Sequence, residues 1–321
     1  MIKVHNLTKI YKTPTKSGNF FQDIIQRKYE EKKALDGISF EIKQNELVGF
    51  IGPNGAGKTT TMKILSGILY PTSGTVNVLG YTPFEKRHSF LKQIAFVMGQ
   101  KNQLLWELPA SDSFQLSKEI YEIEDRQYKQ TLHDLIELLD AEEFINQPIK
   151  TLSLGQRMRM ELIAALLHRP KILFLDEPTI GLDIFAQTIM RNFIKEYQEK
   201  YRATIMLTSH YMQDVQKLAK RVILIDNGKI LFDGKLNELI EKYSDEKLIS
   251  VTLEKPLTNE RVALPRDYDY QFPLLKIRVQ KDQLNDMLPK LLNTITFTDL
   301  TVEDEPIEEI IKNMFVKRDT I

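Results

Sequence analysis

Apolar positions along the chain follow two rhythms. Short unbroken runs at Leu47-Val48-Gly49-Phe50-Ile51, Ile94-Ala95-Phe96-Val97-Met98, Ile172-Leu173-Phe174-Leu175 and Thr204-Ile205-Met206-Leu207 read as buried parallel strands. Strict alternation at residues 2–7 predicts an edge strand, and residues 34–42 and 75–80 predict two more. Val222 to Phe232 is a hairpin about Asn227-Gly228. Between these runs the apolar spacing turns helical: Met62, Leu65 and Leu69, then Leu116, Ile120 and Ile123, then Leu132, Leu135 and Leu139, then Met158, Leu162 and Leu166. Pro71 and Pro170 close two of these helices. Strand and helix alternate over residues 1–240, except where successive helices predict a helical subdomain at about 101–165. The expected class is α/β, a mixed sheet core with an antiparallel edge.

After Tyr243 the pattern changes. Ile249, Val251 and Leu253 alternate, as do Leu275, Ile277 and Val279. A helix with Leu284, Leu288 and Leu291 follows, which Pro289 is expected to end or kink. Residues 295–302 predict a strand, and Asp304-Glu305-Pro306 opens a last helix. Residues 241–321 therefore read as a small C-terminal α+β domain without a glycine loop, nucleophile or metal cluster, suited to packing, regulation or dimerisation. Residues 12–33 interrupt the alternation near the N-terminus with Lys12, Lys16, Arg27, Lys28, Lys32 and Lys33 around an apolar cluster at Phe20, Phe21, Ile24 and Ile25. A solvated insertion loop is the first reading, and a basic amphipathic element near lipid headgroups the second.

Composition narrows the classes. Lys+Arg 44 balances Asp+Glu 44, so no charge surplus points to nucleic acid. Without cysteine there is no disulfide, iron–sulfur cluster or thiol catalysis. The N-terminus lacks the pattern of a signal peptide, and no apolar run approaches the roughly 20 residues that span a bilayer. The chain is expected to stay where it is made, so any membrane process it serves needs another chain to cross the lipid.

Chemistry concentrates at three places. Gly52-Pro53-Asn54-Gly55-Ala56-Gly57-Lys58-Thr59-Thr60 follows a strand and opens a helix. Three glycines in six residues let backbone N–H groups converge on an anion, and the helix start adds its own. Lys58 supplies charge for outer phosphates and Thr59 a hydroxyl for Mg²⁺; the spacing fits G-x-x-x-x-G-K-[ST]. Leu152-Ser153-Leu154-Gly155-Gln156 opens a second helix, with Ser153 as its cap. Asp176-Glu177 ends the apolar run at 172–175. Two acids buried together are costly unless a cation or a reaction requires them. Asp176 suits Mg²⁺ and Glu177 suits polarisation of an attacking water. Gln100 and His210 each stand just past a strand, where ligands of parallel sheets sit; a surface glutamine and a structural histidine are the plainer readings. Tyr11 could stack on a purine or lie half buried on its strand.

Taken together, these motifs resemble the nucleotide-binding subunit of ABC transporters, over roughly residues 1–240 and in the family's motif order. The resemblance implies a P-loop ATPase of the ABC type that binds ATP with Mg²⁺. It gives residues 52–60 the role of phosphate loop, and Gln100 that of the Gln loop at the metal and γ-phosphate. Ser153, Gly155 and Gln156 become the signature that meets a partner's γ-phosphate. Asp176 becomes the metal carboxylate, Glu177 the base, Asp183 a dimer contact, His210 the switch histidine and Tyr11 the adenine platform. It further implies head-to-tail pairing as a homodimer or with a second ABC subunit, and a separate integral membrane permease contacted near Trp106. It places the chain in the cytoplasm, peripheral on the inner face of the cell membrane, in the exporter branch. Two departures stand out: Leu154, where the commonest signature has glycine, and Ile180-Gly181-Leu182 before Asp183. A soluble non-transport ABC ATPase acting on a macromolecular complex is the alternative, and a phosphate-loop module without turnover a second.

Overall fold

The computed structural model describes residues 1–15, 28–99, 102–209, 211–244, 246–257 and 267–316. They form two compact units, Met1–Leu236 and Asn237–Ile321.

In the first unit, β1 (Ile2–Thr15) runs between β2 (Lys28–Ile42) and a return strand, Ser73–Val78, all antiparallel. The strand expected at an edge is therefore the centre of its sheet. Ile2 and Val4 are buried while Lys3 and His5 face out, so the alternation reports one covered face and says nothing of how many strands flank it. The region expected to interrupt the pattern is strand at both ends, with Thr15 opposite Lys28. Here exposed Lys and Glu side chains pair across strands, as Lys12 does with Glu31 at 2.9 Å, and give no apolar alternation to read. The apolar cluster proposed at 20–25 lies outside the described residues.

The second sheet contains β3 (Leu47–Ile51), then, after β4 (Ser73–Val78), β5 (Ile94–Met98), β6 (Ile172–Asp176), β7 (Thr204–Thr208), β8 (Arg221–Asp226) and β9 (Lys229–Lys235). Its order is β5-β6-β7-β3-β8-β9, parallel except for the β8–β9 hairpin. Asn227 and Gly228 turn that hairpin with φ of 45° and 73°, as a tight primed turn requires. Helix α1 (Lys58–Leu65) contributes Met62, Ile64 and Leu65 to one core with Phe50 and Phe174 of this sheet and Ile2 and Val76 of the other. Each such side chain contributes about 2 kcal/mol by leaving water.

The remaining helices are α2 (His88–Leu91), α3 (Ala110–Tyr121), α4 (Asp125–Leu139), α5 (Leu154–Leu166), α6 (Ile184–Tyr201) and α7 (Met212–Leu218). The stripe read on α3 is not its buried face: Ala110, Ser113 and Phe114 are buried, whereas Leu116 and Ile120 are exposed. Small residues at 110 and 113 let that side approach its neighbours, and the longer aliphatic row is left outside.

The second unit comprises α8 (Leu236–Tyr243), which starts at the boundary, β10 (Glu246–Leu253), β11 (Tyr268–Gln271), β12 (Leu274–Gln280), α9 (Leu284–Thr294), β13 (Phe297–Asp304) and α10 (Ile307–Val316). Its sheet is antiparallel in the order β11-β12-β10-β13. The alternating residues of β10 and β12 form its core with Leu291 and Ile295. Pro289 does not end α9, which continues to Thr294. Asn285, whose carbonyl loses its partner, and Pro289 are both exposed, so water can satisfy that carbonyl, and burial of Leu291 holds the last turn in place.

Candidate functional site

Strands β3, β6 and β7 lie side by side and parallel, so their carboxyl ends meet at one edge. The loop after β3 returns under tight steric control. A Cβ on Gly52 would stand 2.0 Å from the Ile225 carbonyl oxygen, so only glycine lets the loop leave the sheet there. Gly57 caps α1 with φ of 112°, and no side chain satisfies that helix end. Its first-turn N–H groups stay available to an anion. Lys58 is buried and folds back, its Nζ donating to the carbonyls of Gly52 (2.7 Å) and Pro53 (3.0 Å). Burial holds its pKa below the usual lysine range, against the opposing pull of Glu177 and Asp176.

Asp176 ends β6 opposite Thr208 of β7 in register. Its Oδ2 accepts from Thr59 Oγ1 at 2.8 Å, and its Oδ1 from Thr208 Oγ1 at 2.7 Å. The next residue, Glu177, has a φ of 55°, which non-glycine residues seldom adopt. Its N–H is held by Thr208, at 3.1 Å from both the carbonyl oxygen and Oγ1. Asn54, Gly55, Gly57, Lys58, Thr59, Thr60 and Glu177 line a cavity of about 140 Å³. Backbone N–H groups of the helix start, Lys58, Thr59 and Glu177 thus share one small space, with Asp176 hydrogen-bonded to the Thr59 hydroxyl at its edge.

Ser153 and Gln156 form a reciprocal cap on α5: Ser153 Oγ accepts from the Gln156 N–H at 3.3 Å, and Gln156 Oε1 accepts from the Ser153 N–H at 2.9 Å. Accepting leaves the hydroxyl hydrogen of Ser153 as a donor. The two departures noted above touch each other. A Cβ on Gly181 would lie 3.0 Å from Leu154 Cδ2, and one on Gly155 would lie 3.0 Å from Ala186 Cβ. The larger signature residue is accommodated by the missing side chain at 181. Asp183 caps α6, accepting from the Ala186 N–H at 2.8 Å.

Gln100 and His210 lie outside the described residues; their neighbours are placed. Gly99 donates its N–H to the Asp176 carbonyl at 3.0 Å, and Ser209 is buried. Pro53 and Ala56 belong to the loop but do not line the cavity, and neither does Tyr11. Tyr11 sits on β1 with the Lys9 ammonium 5.3 Å from its ring centroid. Trp106, named above as near the permease contact, is 45% exposed and so is not a core residue.

Two features escaped the sequence. Thr208 is one; a hydroxyl closing an apolar strand beside an acid-ended strand was the signal. The other is a buried network. Asp214 of α7, 1% exposed, accepts from Thr179 Oγ1 (2.5 Å) and Ser209 Oγ (3.0 Å) on Oδ2, and from Arg191 Nη1 (2.8 Å) on Oδ1. It ties the segment after Glu177 to the segment before His210. Arg191, a charge inside the buried stripe of Met190, Ile194 and Tyr197, was its only trace.

The ABC transporter family profile matches residues 35–180, from β2 past the Asp176-Glu177 pair. The chain is 30% identical over 233 residues to the ABC transporter ATP-binding protein NatA of Bacillus subtilis, covering 71% of this chain and 94% of that protein. The chain belongs to the ABC transporter family. It is an ATP-binding subunit of that family and an ATPase. It is also 31% identical over 247 residues to the Nod factor export ATP-binding protein I of Ralstonia nicotianae, covering 74% of this chain and 76% of that one. A dimeric ATP-binding cassette in a post-hydrolysis state with ADP and phosphate superposes with a TM-score of 0.63 at 24% identity, over 74% of this ABC subunit and 99% of the cassette. That likeness concerns the fold. No helix among the described residues is long and apolar enough to cross a membrane.

Proposed function

We propose that two copies of this ABC ATPase, or one copy and a related subunit, pair head to tail and hold ATP between them. ATP-driven closure then works a separate membrane permease that exports its cargo. The observation that carries this reading is the carboxylate of Asp176 bridging the Thr59 and Thr208 hydroxyls, beside a glycine loop and a cavity that Glu177 also lines. An oxygen-donor set with one carboxylate and a hydroxyl fits Mg²⁺, which takes few protein ligands and keeps waters and phosphates around it. When bound, Mg²⁺ neutralises charge developing on the transferred phosphoryl group.

The chain's own residues divide the work. The N–H groups of residues 54–60 and Lys58 bind and orient the phosphates, and Lys58 exchanges its two carbonyl partners for them. Thr59, Asp176 and Gln100 hold the metal. Glu177, its backbone fixed by Thr208, polarises the attacking water. Gln100 and His210 sense the γ-phosphate, and Tyr11 stacks on the adenine. Ser153, Gly155 and Gln156 of one subunit meet the phosphate held by the other, and Asp183 contacts the partner. Leu105, Trp106, Leu108, Leu116 and Ile120 are large apolar side chains left exposed, and this part of the helical subdomain receives a permease segment. The chain works in the cytoplasm on the inner face of the cell membrane. Residues 1–240 form the nucleotide-binding domain and 241–321 the accessory domain. The Nod factor export relative supports the direction of transport.

The test is to purify the chain with and without membranes from its source. Phosphate release from MgATP, nucleotide-dependent pairing and co-purification of a many-helix membrane protein are expected. Absence of pairing and of phosphate release, even in the membrane-bound preparation, rejects the proposal.

A further inference from the structure

Helix α5 carries a buried acid that no step above uses. Glu161 is 4% exposed, and its Oε1 accepts from the Gln103 N–H at 2.7 Å. Burial pushes its carboxyl up from the ordinary range, and backbone hydrogen bonds from Gln103 and Leu104 oppose that rise. Leaving a charge there is costly without such partners, and a buried polar pairing of this kind fixes geometry more than it adds stability. What it fixes is the segment that follows Gln100. The same segment is held from other sides: Leu105 N–H donates to Ser113 Oγ at 3.0 Å, and the carbonyls of Trp106 and Leu108 accept from the N–H groups of Lys150 and Ile149 at 3.1 Å each. The Arg157 guanidinium, also on α5, lies 5.6 Å from the Trp106 ring. At its other end α5 begins at Ser153, about 12 Å away along the axis at the helical rise.

We infer that Glu161 is a positioning residue that links the signature end of α5 to the exposed segment 103–108, so that closure on the triphosphate moves the apolar surface around Trp106. The inference rests on the dimer reading above. Helix α5 is a rigid element that, in the dimer reading, starts at the phosphate and holds backbone N–H groups of the surface segment from its middle, about two turns further on. Glu161 is the only carboxylate among the described residues that donors of that segment's backbone are shown to meet. Without it the segment keeps its contacts to α3 and to residues 149–150 and the Arg157–Trp106 ring contact, but loses the hydrogen bond that ties its backbone to α5.

Trp106 is the single tryptophan of the chain, so its emission reads this segment directly. In a Glu177→Gln background, which retains ATP, MgATP is expected to drive pairing and to change the Trp106 emission together. Adding Glu161→Ala should leave the MgATP midpoint and the pairing as they were while the emission change falls at least about threefold, the scale on which one linking residue alters coupling. Glu161→Gln, whose amide oxygen still accepts, should restore it. If the alanine variant does not fold, Glu161→Asp, one methylene too short to reach Gln103, must show the same loss. An unreduced emission change in the alanine or aspartate variant overturns the link, as does pairing of the parent with no emission change. A parent that neither binds MgATP nor pairs takes down the dimer reading and the link with it.

Discussion

The two units bury different chemistry. Where the strands of the first unit end, ionisable side chains go inside: Lys58, Asp176, Glu161, Arg191 and Asp214 are all buried and hydrogen-bonded. In the second unit the sheet core is Ile, Val and Leu throughout; Glu305 is the one buried ionisable side chain among its described residues, and its described ion pairs, Arg278 with Asp267 and Glu309 and Lys247 with Asp304, stand at the surface. A chain keeps buried charge only where something compensates its desolvation. In the first unit the partners are other fixed polar groups: Lys58 and Asp176 meet the glycine loop and Thr59 at the cavity, and Asp214 ties together the segments that flank Glu177 and His210. The second unit has the interior of a packing module. Changes to buried charge in the first unit should therefore be severe and specific, and changes to the second should be mild.

The largest effect belongs to Glu177. Glu177→Gln removes the proposed base while keeping the side chain's shape, and phosphate release should fall at least about a hundredfold, within the range of a lost general base. ATP should still bind, and the nucleotide-bound pair should outlast that of the parent, as size-exclusion chromatography would show. Unchanged hydrolysis would remove Glu177 from the mechanism and with it the reason for its left-handed backbone.

Next comes the Asp214 network. Asp214→Leu leaves the Arg191 guanidinium buried without its counter-charge and strips two hydroxyl donors of their acceptor. Unfolding in urea should show a loss of about 3–5 kcal/mol, the cost of breaking a buried pair from one side. Asp214→Leu combined with Arg191→Met should recover most of it, because an apolar pair carries no such cost. If the single variant lost under about 1 kcal/mol, as a surface pair would, the contrast between the units would fail at its best-buried point.

These sites differ in how far the chain announces them. The glycine loop, the Asp176-Glu177 pair and the capped α5 are contiguous, and their spacing alone states the chemistry. Four strands of the second sheet were legible as short apolar runs, and β8 and β9 as a hairpin about Asn227-Gly228. Thr208 and Asp214 are assembled across 32 and 35 residues of chain, and such pairings follow from strand order, which local pattern does not carry. Of the long β1–β2 ribbon, residues 2–7 and 34–42 were legible, but its outer part at 12–15 and 28–33 was not, because polar and charged side chains there leave no apolar alternation. The apolar stripe on α3 misled for another reason: a periodic row shows that a face meets something apolar, and here the face points away from the unit's own core. The same ambiguity hid Glu161, an acid inside a helix that otherwise reads as ordinary.

His168 gives a smaller effect with a definite sign. Burial lowers its pKa to about 4; Nε2 lies 3.0 Å from the Ile94 carbonyl oxygen and the ring stacks on Tyr121 at 3.8 Å. The folded state resists protonation that the unfolded chain accepts near its ordinary value of about 6.5. Between those values the unfolded state binds more protons, so stability falls as pH falls through that window. The loss reaches at most about 3 kcal/mol at roughly 1.4 kcal/mol per unit. His168→Gln should flatten this part of the stability curve, measured by urea unfolding at about pH 7 and about pH 5. All five histidines, 5, 88, 133, 168 and 210, fall within the first unit's span, so the second unit should contribute nothing to a slope of this origin.

The mildest change tests the other side of the contrast. Arg278 has the best ion-pair geometry of the second unit: its Nη2 and Nε donate to Glu309 at 3.0 and 3.2 Å, and its Nη1 to Asp267 at 3.2 Å. A fork held at both prongs is stronger than a single contact. Its side chain nevertheless remains 35% exposed, and Glu309 and Asp267 are more exposed still, so water and salt screen the attraction. Arg278→Gln should cost under about 1 kcal/mol, less at high salt than at low, and should leave phosphate release by the full chain unchanged. A several-fold fall in turnover without a matching loss of stability would mean that this charged rim acts on the nucleotide site. The second unit would then be a regulator whose chemistry lies on its surface, and burial of charge would no longer separate the working unit from the packing one.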